Sequence, residues 1–138
     1  MDVATYFLQK EREFADAGCV PDESIKQMFQ EEEGSGGLRG RVFATLALTE
    51  DTYVRVYERV AVRRGHITRE VYSYSIVIDG AHVRGWERDP RHDDSPVHEH
   101  GGPNRERERG TKPIALKRVL EIAWDEVSLR AEALSDDS

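Results

Sequence analysis

The sequence predicts an α+β fold: an antiparallel β-meander of four to five strands, packed on one face by a C-terminal helix, with a second helix at the N-terminus. Three observations predict it. Segments between about residues 24 and 88 place apolar side chains at every second position. The breaks between them are short and rich in turn residues, which forces neighbouring strands to run antiparallel. A stretch near the end returns apolar residues at helical spacing. The chain's 138 residues suffice for one core. Residues 1–134 therefore read as a single domain and 135–138 as a frayed tail.

Residues 3–17 read as the N-terminal helix, with Val3, Phe7, Leu8 and Phe14 near one stripe and Gly18 as its stop. "CVPDESIKQMFQEEEG" is ambiguous, because Asp22 after Pro21 can cap a short helix while Ile25, Gln27 and Phe29 alternate. The alternation favours a strand that enters a hairpin through "GSGG". In "LRGRVFATLAL", Leu38, Val42, Ala44, Leu46 and Leu48 share one face, with Arg39 and Arg41 opposite. In "YVRVYERVAVR", Val54, Val56, Glu58, Val60 and Val62 take one face, against Tyr53, Arg55, Tyr57, Arg59 and Arg63.

"ITREVYSYSIVI" continues with Tyr72 and Tyr74 on a common face. Asp79–Gly80 is a strong hairpin signal, since a two-residue turn of the favoured hand needs positive φ at both positions. The next strand, "AHVRGWER", alternates His82, Arg84, Trp86 and Arg88. Residues 89–112 read as a His-rich loop, long enough to suggest function rather than mere connection. Residues 113–134 read as the C-terminal helix, with Leu116, Val119, Leu120, Ala123, Val127, Ala131 and Leu134 on the stripe that covers the aliphatic sheet face.

Composition excludes several classes. The mean hydropathy is -0.68 and no run of about 18 apolar residues exists to span a membrane. The first residues are acidic where a signal peptide needs a positive start, and Cys19 is alone, so a cytoplasmic protein without an internal disulfide is expected. Cys19 reads as a small buried apolar residue. The net charge of -7 is uneven: -6 over residues 1–37, +2 over 38–113 and -3 over 114–138. That distribution argues against a general nucleic-acid coat and leaves room for a local phosphate site.

Three constellations could carry chemistry. Arg39, Arg41, Arg55, Tyr57 and Arg59 look away from the aliphatic face, joined by Tyr72, Tyr74, Arg84 and Trp86 in one of the two registers. Guanidinium forks grip phosphate and rings stack bases, whereas the plain alternative is an ordinary exposed sheet face. Glu58 interrupts an aliphatic face, as a general acid/base or as a paired buried acid. In "RGWERDPRHDDSPVHEHGG", His98 and His100 point the same way in extended backbone. They can chelate a divalent transition metal with His92, Asp89, Asp93 or Asp94 as third ligand, or move protons beside an arginine-held phosphate, or only decorate a polar loop.

The pieces "LRGRV", Glu58, "YSYSIVI", "DG", "VRGWERDPRH", "PVHEH" and "KPIALKRVLEI" occur in an order and spacing that resembles the TumE-like toxin family of prokaryotic toxin–antitoxin pairs. The resemblance covers roughly residues 25–125, with Arg84, Trp86, Pro90, His92, Pro96, His98 and His100 matching the family pattern. The chain departs from it at Glu87, Arg88, Arg91 and Val97, where Asp, Asn, His and His are usual. The resemblance implies a small cytoplasmic toxin that acts on RNA or a nucleotide and is neutralised by a cognate antitoxin protein.

The expected catalytic set is His98 and His100, supported by His92 and Glu58. Arg84 and Arg88 would hold phosphate, and Trp86, Tyr72 or Tyr74 would stack the base. The sequence establishes no cofactor, although His98, His100 and His92 could hold a divalent transition metal, and a homodimer is allowed. The rival reading is a non-catalytic module that binds protein or RNA through the Arg/Tyr sheet face and the His-rich loop.

Overall fold

Alternation from residue 39 onward does build long strands, and they join one antiparallel sheet. The computed structural model describes residues 2–21, 28–31, 38–90, 97–102, 107–110 and 112–136. Helix α1 (Val3–Asp16) opens the chain, followed by the short strands β1 (Val20–Pro21) and β2 (Met28–Glu31). The meander is β3 (Arg39–Ala47), β4 (Thr52–Arg63), β5 (His66–Ile78), β6 (Ala81–Arg88) and β7 (Val97–Gly101), with β8 (Arg107–Gly110) added to its edge. Helix α2 (Leu116–Asp136) closes the chain. Among the described residues the sheet order is β1-β3-β4-β5-β6-β7-β8, and β2 also pairs with β3.

The α+β architecture is the expected one, with three corrections. Residues 97–101 and 107–110, read as loop, are strands. The alternating "VHEHG" segment gives the otherwise open edge of β6 a partner for its peptide groups. The C-terminal helix begins at Leu116 rather than 113, past the Pro113 ring, and includes residues 135 and 136 of the expected frayed tail. Within α1 the buried side chains are Val3, Tyr6, Lys10 and Phe14, while Leu8 is exposed. Met28–Glu31 is the strand favoured for its region; Asp22, Ile25, Gln27 and the "GSGG" turn lie outside the described residues.

Both helices lie on one face. Tyr6 and Phe14 from α1 and Leu116, Val119, Leu120 and Ala123 from α2 share a core with Val42, Leu46, Val54, Val56, Val60, Tyr72, Tyr74, Ile76 and Trp86. Gly40 permits the close approach of α1: a Cβ there would fall 2.6 Å from Val3 Cγ1 and 2.7 Å from Phe7 Cζ. The Trp124 indole donates to the Ala17 carbonyl at 2.8 Å and ties α2 to the end of α1. Burial fades along α2, and Leu134 is 74% exposed. The hairpin turns follow the expected chemistry, with φ of 53° at Asp79 and 77° at Gly80.

Glu58 lies in this core with no exposed surface. Its Oε1 accepts a hydrogen bond from the Tyr6 hydroxyl, and its Oε2 accepts one from the Tyr74 hydroxyl. Lys10 Nζ stands 3.3 Å from Oε2. Arg69 extends the network, donating to Tyr74 Oη at 2.8 Å and to the Ile114 carbonyl at 2.7 Å, with its guanidinium 4.5 Å from the centre of the Tyr72 ring. A buried carboxylate is tolerated when its lone pairs and its charge are both matched, and here α1 and β5 supply the match. Burial, and then the Glu58 charge, push the Tyr6 hydroxyl far above its ordinary value, and Tyr74 shifts the same way for the same reasons.

Two outcomes follow from this network. Lys10→Ala removes the nearest cation from the Glu58 carboxylate, leaving only the more distant Arg69, and should lower unfolding free energy by about 3 kcal/mol in urea titration. Tyr6 and Tyr74 hold their protons in the folded state beyond the ordinary tyrosine value of 10.0, so the unfolded chain ionises first. Their contribution is complete below that value and is lost as pH rises above it. Tyrosinate absorbance should show both phenols ionising only together with unfolding.

Candidate catalytic and metal-binding site

Sheet register decides which side chains meet. Tyr74 pairs with Trp86 and Trp86 with Glu99, so these three share the helix-bearing face. Glu87 pairs with His98 and Gly85 with His100, which turns Glu87, His98 and His100 to the opposite face. The two imidazoles meet edge to face, with ring centroids 4.5 Å apart. Glu87 Oε2 is 3.4 Å from His100 Nε2 and 3.7 Å from His98 Nε2. One donor atom from each of the three residues lies within 4.8 Å of the other two. His98 is 2% exposed, and both ring nitrogens of His100 are buried without a hydrogen-bond partner among the described residues.

His82 adds a further ring to this face. A bulge between Ile76 and Val77 pairs His82 with Val77 but Arg84 with Ile76, which turns His82 away from Arg84. Its Nδ1 lies 2.8 Å from the Gly102 carbonyl oxygen. Because a carbonyl only accepts, Nδ1 carries the proton and the neutral ring's Nε2 keeps its lone pair. That Nε2 is buried, partnerless among the described residues, and 2.7 Å from where a Gly85 Cβ would stand.

The expected substrate-binding residues do not join the histidines. Tyr72 and Tyr74 are fully buried beneath the helices, and Trp86 is buried in the same core. Arg84 pairs with Glu99 and stacks 4.9 Å from the centre of the Trp86 ring. Arg88 stands opposite Tyr72, again on the helix-bearing side. Glu58 is in the core and does not line the cleft of about 460 Å³ formed by Tyr6, Lys10, His66, Arg69 and their neighbours. It has no exposed surface and is paired with Tyr6, Tyr74 and Lys10, as expected of a buried structural acid. His92, Asp93 and Asp94 lie outside the described residues. Asp89 is buried just after β6.

Other residues take the expected places. One row across the outer face runs Phe43, Tyr57, Ser73, Glu87, His98, and the next runs Thr45, Arg55, Ser75, Gly85, His100. Arg41 pairs with Arg59 beyond them. Phe43 and Tyr57 rings pack at 5.0 Å, and Arg55 lies 5.5 Å from the centre of the Tyr53 ring. Glu70 is the shared counter-ion of Arg39, Arg59 and Arg63, at 3.9, 3.8 and 3.4 Å. Three positive charges against one leave this side of the sheet locally cationic. Glu87 and His82 were missed as site residues because each needs the strand register, and His82 the bulge as well.

Comparison with family models, with curated proteins and with solved structures gives no match to the chain. No helix among the described residues is long and apolar enough to cross a membrane.

A methyl group at residue 85 would meet the His82 ring and stand 3.1 Å from the Tyr74 carbonyl oxygen. Gly85→Ala should therefore displace the imidazole and cost about 1–3 kcal/mol in a thermal melt. A change in the His82 ring signals by NMR, with the remaining core signals kept, would check that the effect is local.

Proposed function

We propose that the chain is the toxin of a toxin–antitoxin-like pair, acting in the cytoplasm on RNA or a nucleotide at the outer face of its sheet. The observation that carries this reading is the sharing of one face by the Glu87–His98–His100 group and the Arg41, Arg55, Arg59, Phe43 and Tyr57 side chains. Single-stranded nucleic acid binds such surfaces through bases stacked on rings and phosphates held by guanidinium groups. Three strand spacings separate Tyr57 from His98, about 14 Å, so one bound strand can touch both. The order of motifs, which resembles that of TumE-like toxins, is in keeping with the same class, and a cognate antitoxin would be the natural occupant of this face.

The roles differ from those expected of the sequence. Arg55 and Arg59 replace Arg84 and Arg88 at the phosphate, Phe43 and Tyr57 replace Trp86 and Tyr74 as stacking rings, and Glu87 replaces Glu58 as the site's carboxylate. In RNA cleavage the 2′-hydroxyl loses its proton to a basic group of the cluster as its oxygen bonds phosphorus. The 5′-oxygen then departs as its bond to phosphorus breaks and takes up a proton. Near-complete burial of His98 favours a second reading, a non-catalytic RNA- or protein-binding module on the same face.

Induced expression tests both. The wild-type chain should arrest growth and yield RNA fragments on a denaturing gel, and His100→Ala should lower cleavage about 100-fold or more. Arg55→Ala should weaken RNA binding and reduce the salt slope by about 1. Binding that follows this pattern without fragments would favour the module. Absence of both binding and arrest would end the RNA reading.

A further inference from the structure

We propose that Glu87, His98 and His100 bind one divalent transition-metal ion, zinc being the best fit, through Oε2 and two imidazole nitrogens. This deepens the reading above by naming what its site holds, and rests on that reading only for the ion's use. Two nitrogens and one carboxylate oxygen are a donor set that suits zinc and its neighbours better than magnesium or calcium, which prefer oxygen alone. Tetrahedral bonds of about 2.0–2.2 Å set neighbouring donors about 3.3–3.5 Å apart. The two Glu87–histidine separations are 3.4 and 3.7 Å. They lie close to that edge and beyond the ordinary hydrogen-bond range of about 2.7–3.2 Å, and all three donors fall within 4.8 Å of one another, so an ion could be shared among them.

The surroundings point the same way. Both His100 ring nitrogens are buried with no hydrogen-bond partner among the described residues, and a coordinate bond to one of them satisfies a site that otherwise has none. Gly85 pairs with His100 and carries no side chain, so the space above it is open to the His82 ring. With Nδ1 held at the Gly102 carbonyl, His82 presents a bare Nε2 toward this space. It stands on the same face, outside the tight group of three. A fixed outer hydrogen bond is how ligating histidines are commonly oriented. With three protein donors, a water would complete the shell, and the ion would lower its pKa toward neutrality. Such a hydroxide would be the basic group that takes the 2′-hydroxyl proton and becomes water, while the 2′-oxygen bonds phosphorus, the bond to the 5′-oxygen breaks and that oxygen takes up a proton.

The test uses the full untagged chain, stripped with chelator and titrated with Co²⁺, whose visible absorption reports tetrahedral nitrogen and oxygen ligation. Expected are one ion per chain, displacement by Zn²⁺, and affinity lowered at least about 100-fold, beyond the range of outer-shell changes, in Glu87→Gln and in His100→Ala. His66→Ala, at an exposed hairpin, should leave it unchanged. Zn²⁺ should raise the melting temperature of the wild type and not that of the isosteric Glu87→Gln, which covers any variant too unstable to titrate. No absorption change, or tight binding that survives both substitutions, overturns the site. Growth arrest by a chain that takes up no ion also overturns it and leaves the RNA reading standing. One ion per chain without arrest or RNA binding supports the site and removes the RNA reading.

Discussion

A carboxylate buried without exposure governs the sidedness of this molecule. Glu58 must meet Tyr6 and Lys10 from α1 and Tyr74 from β5 in a single arrangement. A one-residue slip of β4 would carry Glu58 to the outer face and leave two phenols and an ammonium facing an apolar surface. Such a slip would leave the Glu58 partners unmatched and would also expose Val54, Val56 and Val60, so the polar network and the aliphatic packing select the same register. Once β4 is placed, pairing from strand to strand sets every later residue. Tyr72, Tyr74 and Trp86 go under the helices, and Glu87, His98 and His100 go outward.

That partition explains how an acidic chain carries a cationic surface. The net charge is -7, yet much of the acid sits in the N-terminal region and on the helices. Glu58 is matched within the core, so it contributes little field outside. On the outer face Arg55 has an aromatic neighbour, and Arg39, Arg59 and Arg63 share Glu70. Local potential rather than total charge is what a phosphate meets within a Debye length of about 8 Å. A single sheet face can thus attract an anionic strand that the protein as a whole would repel.

Much of the architecture was legible from local pattern. Period-two alternation marked the strands from Leu38 to Arg88, Asp79–Gly80 marked a turn, and helical spacing marked both helices, because these signals act within a few residues. The site was legible only in part. His98 and His100 two residues apart correctly implied a shared direction, and Glu58 on an aliphatic strand correctly implied a group needing a partner. Which arginines, rings and acids share the histidines' face depends on which residue of β6 pairs with which residue of β7. Nothing local reports that. Parity placed 84, 86 and 88 on one side and 85 and 87 on the other, and the bulge at Ile76/Val77 then moved His82 across. The segment from 97 to 101 misled for a related reason: its polar residues resemble loop until the edge of β6 is seen to need a partner.

Side-chain length completes the account of the outer site. Directly opposed residues on antiparallel strands have Cβ atoms about 4.5–5.5 Å apart, and diagonal neighbours stand about 7–8 Å apart. Glu87 faces His98 directly and His100 on the diagonal, and its carboxylate lies near both rings. A shorter acid at this position would reach the opposed ring more readily than the diagonal one. Gly85 supplies the complementary feature, since any side chain opposite His100 would occupy the space into which the His82 ring leans. The long acid and the absent side chain are alternate residues of β6, and together they let three strand positions converge on one point. The cluster is therefore a property of the β6–β7 pairing itself, held in register by a buried acid two strands away.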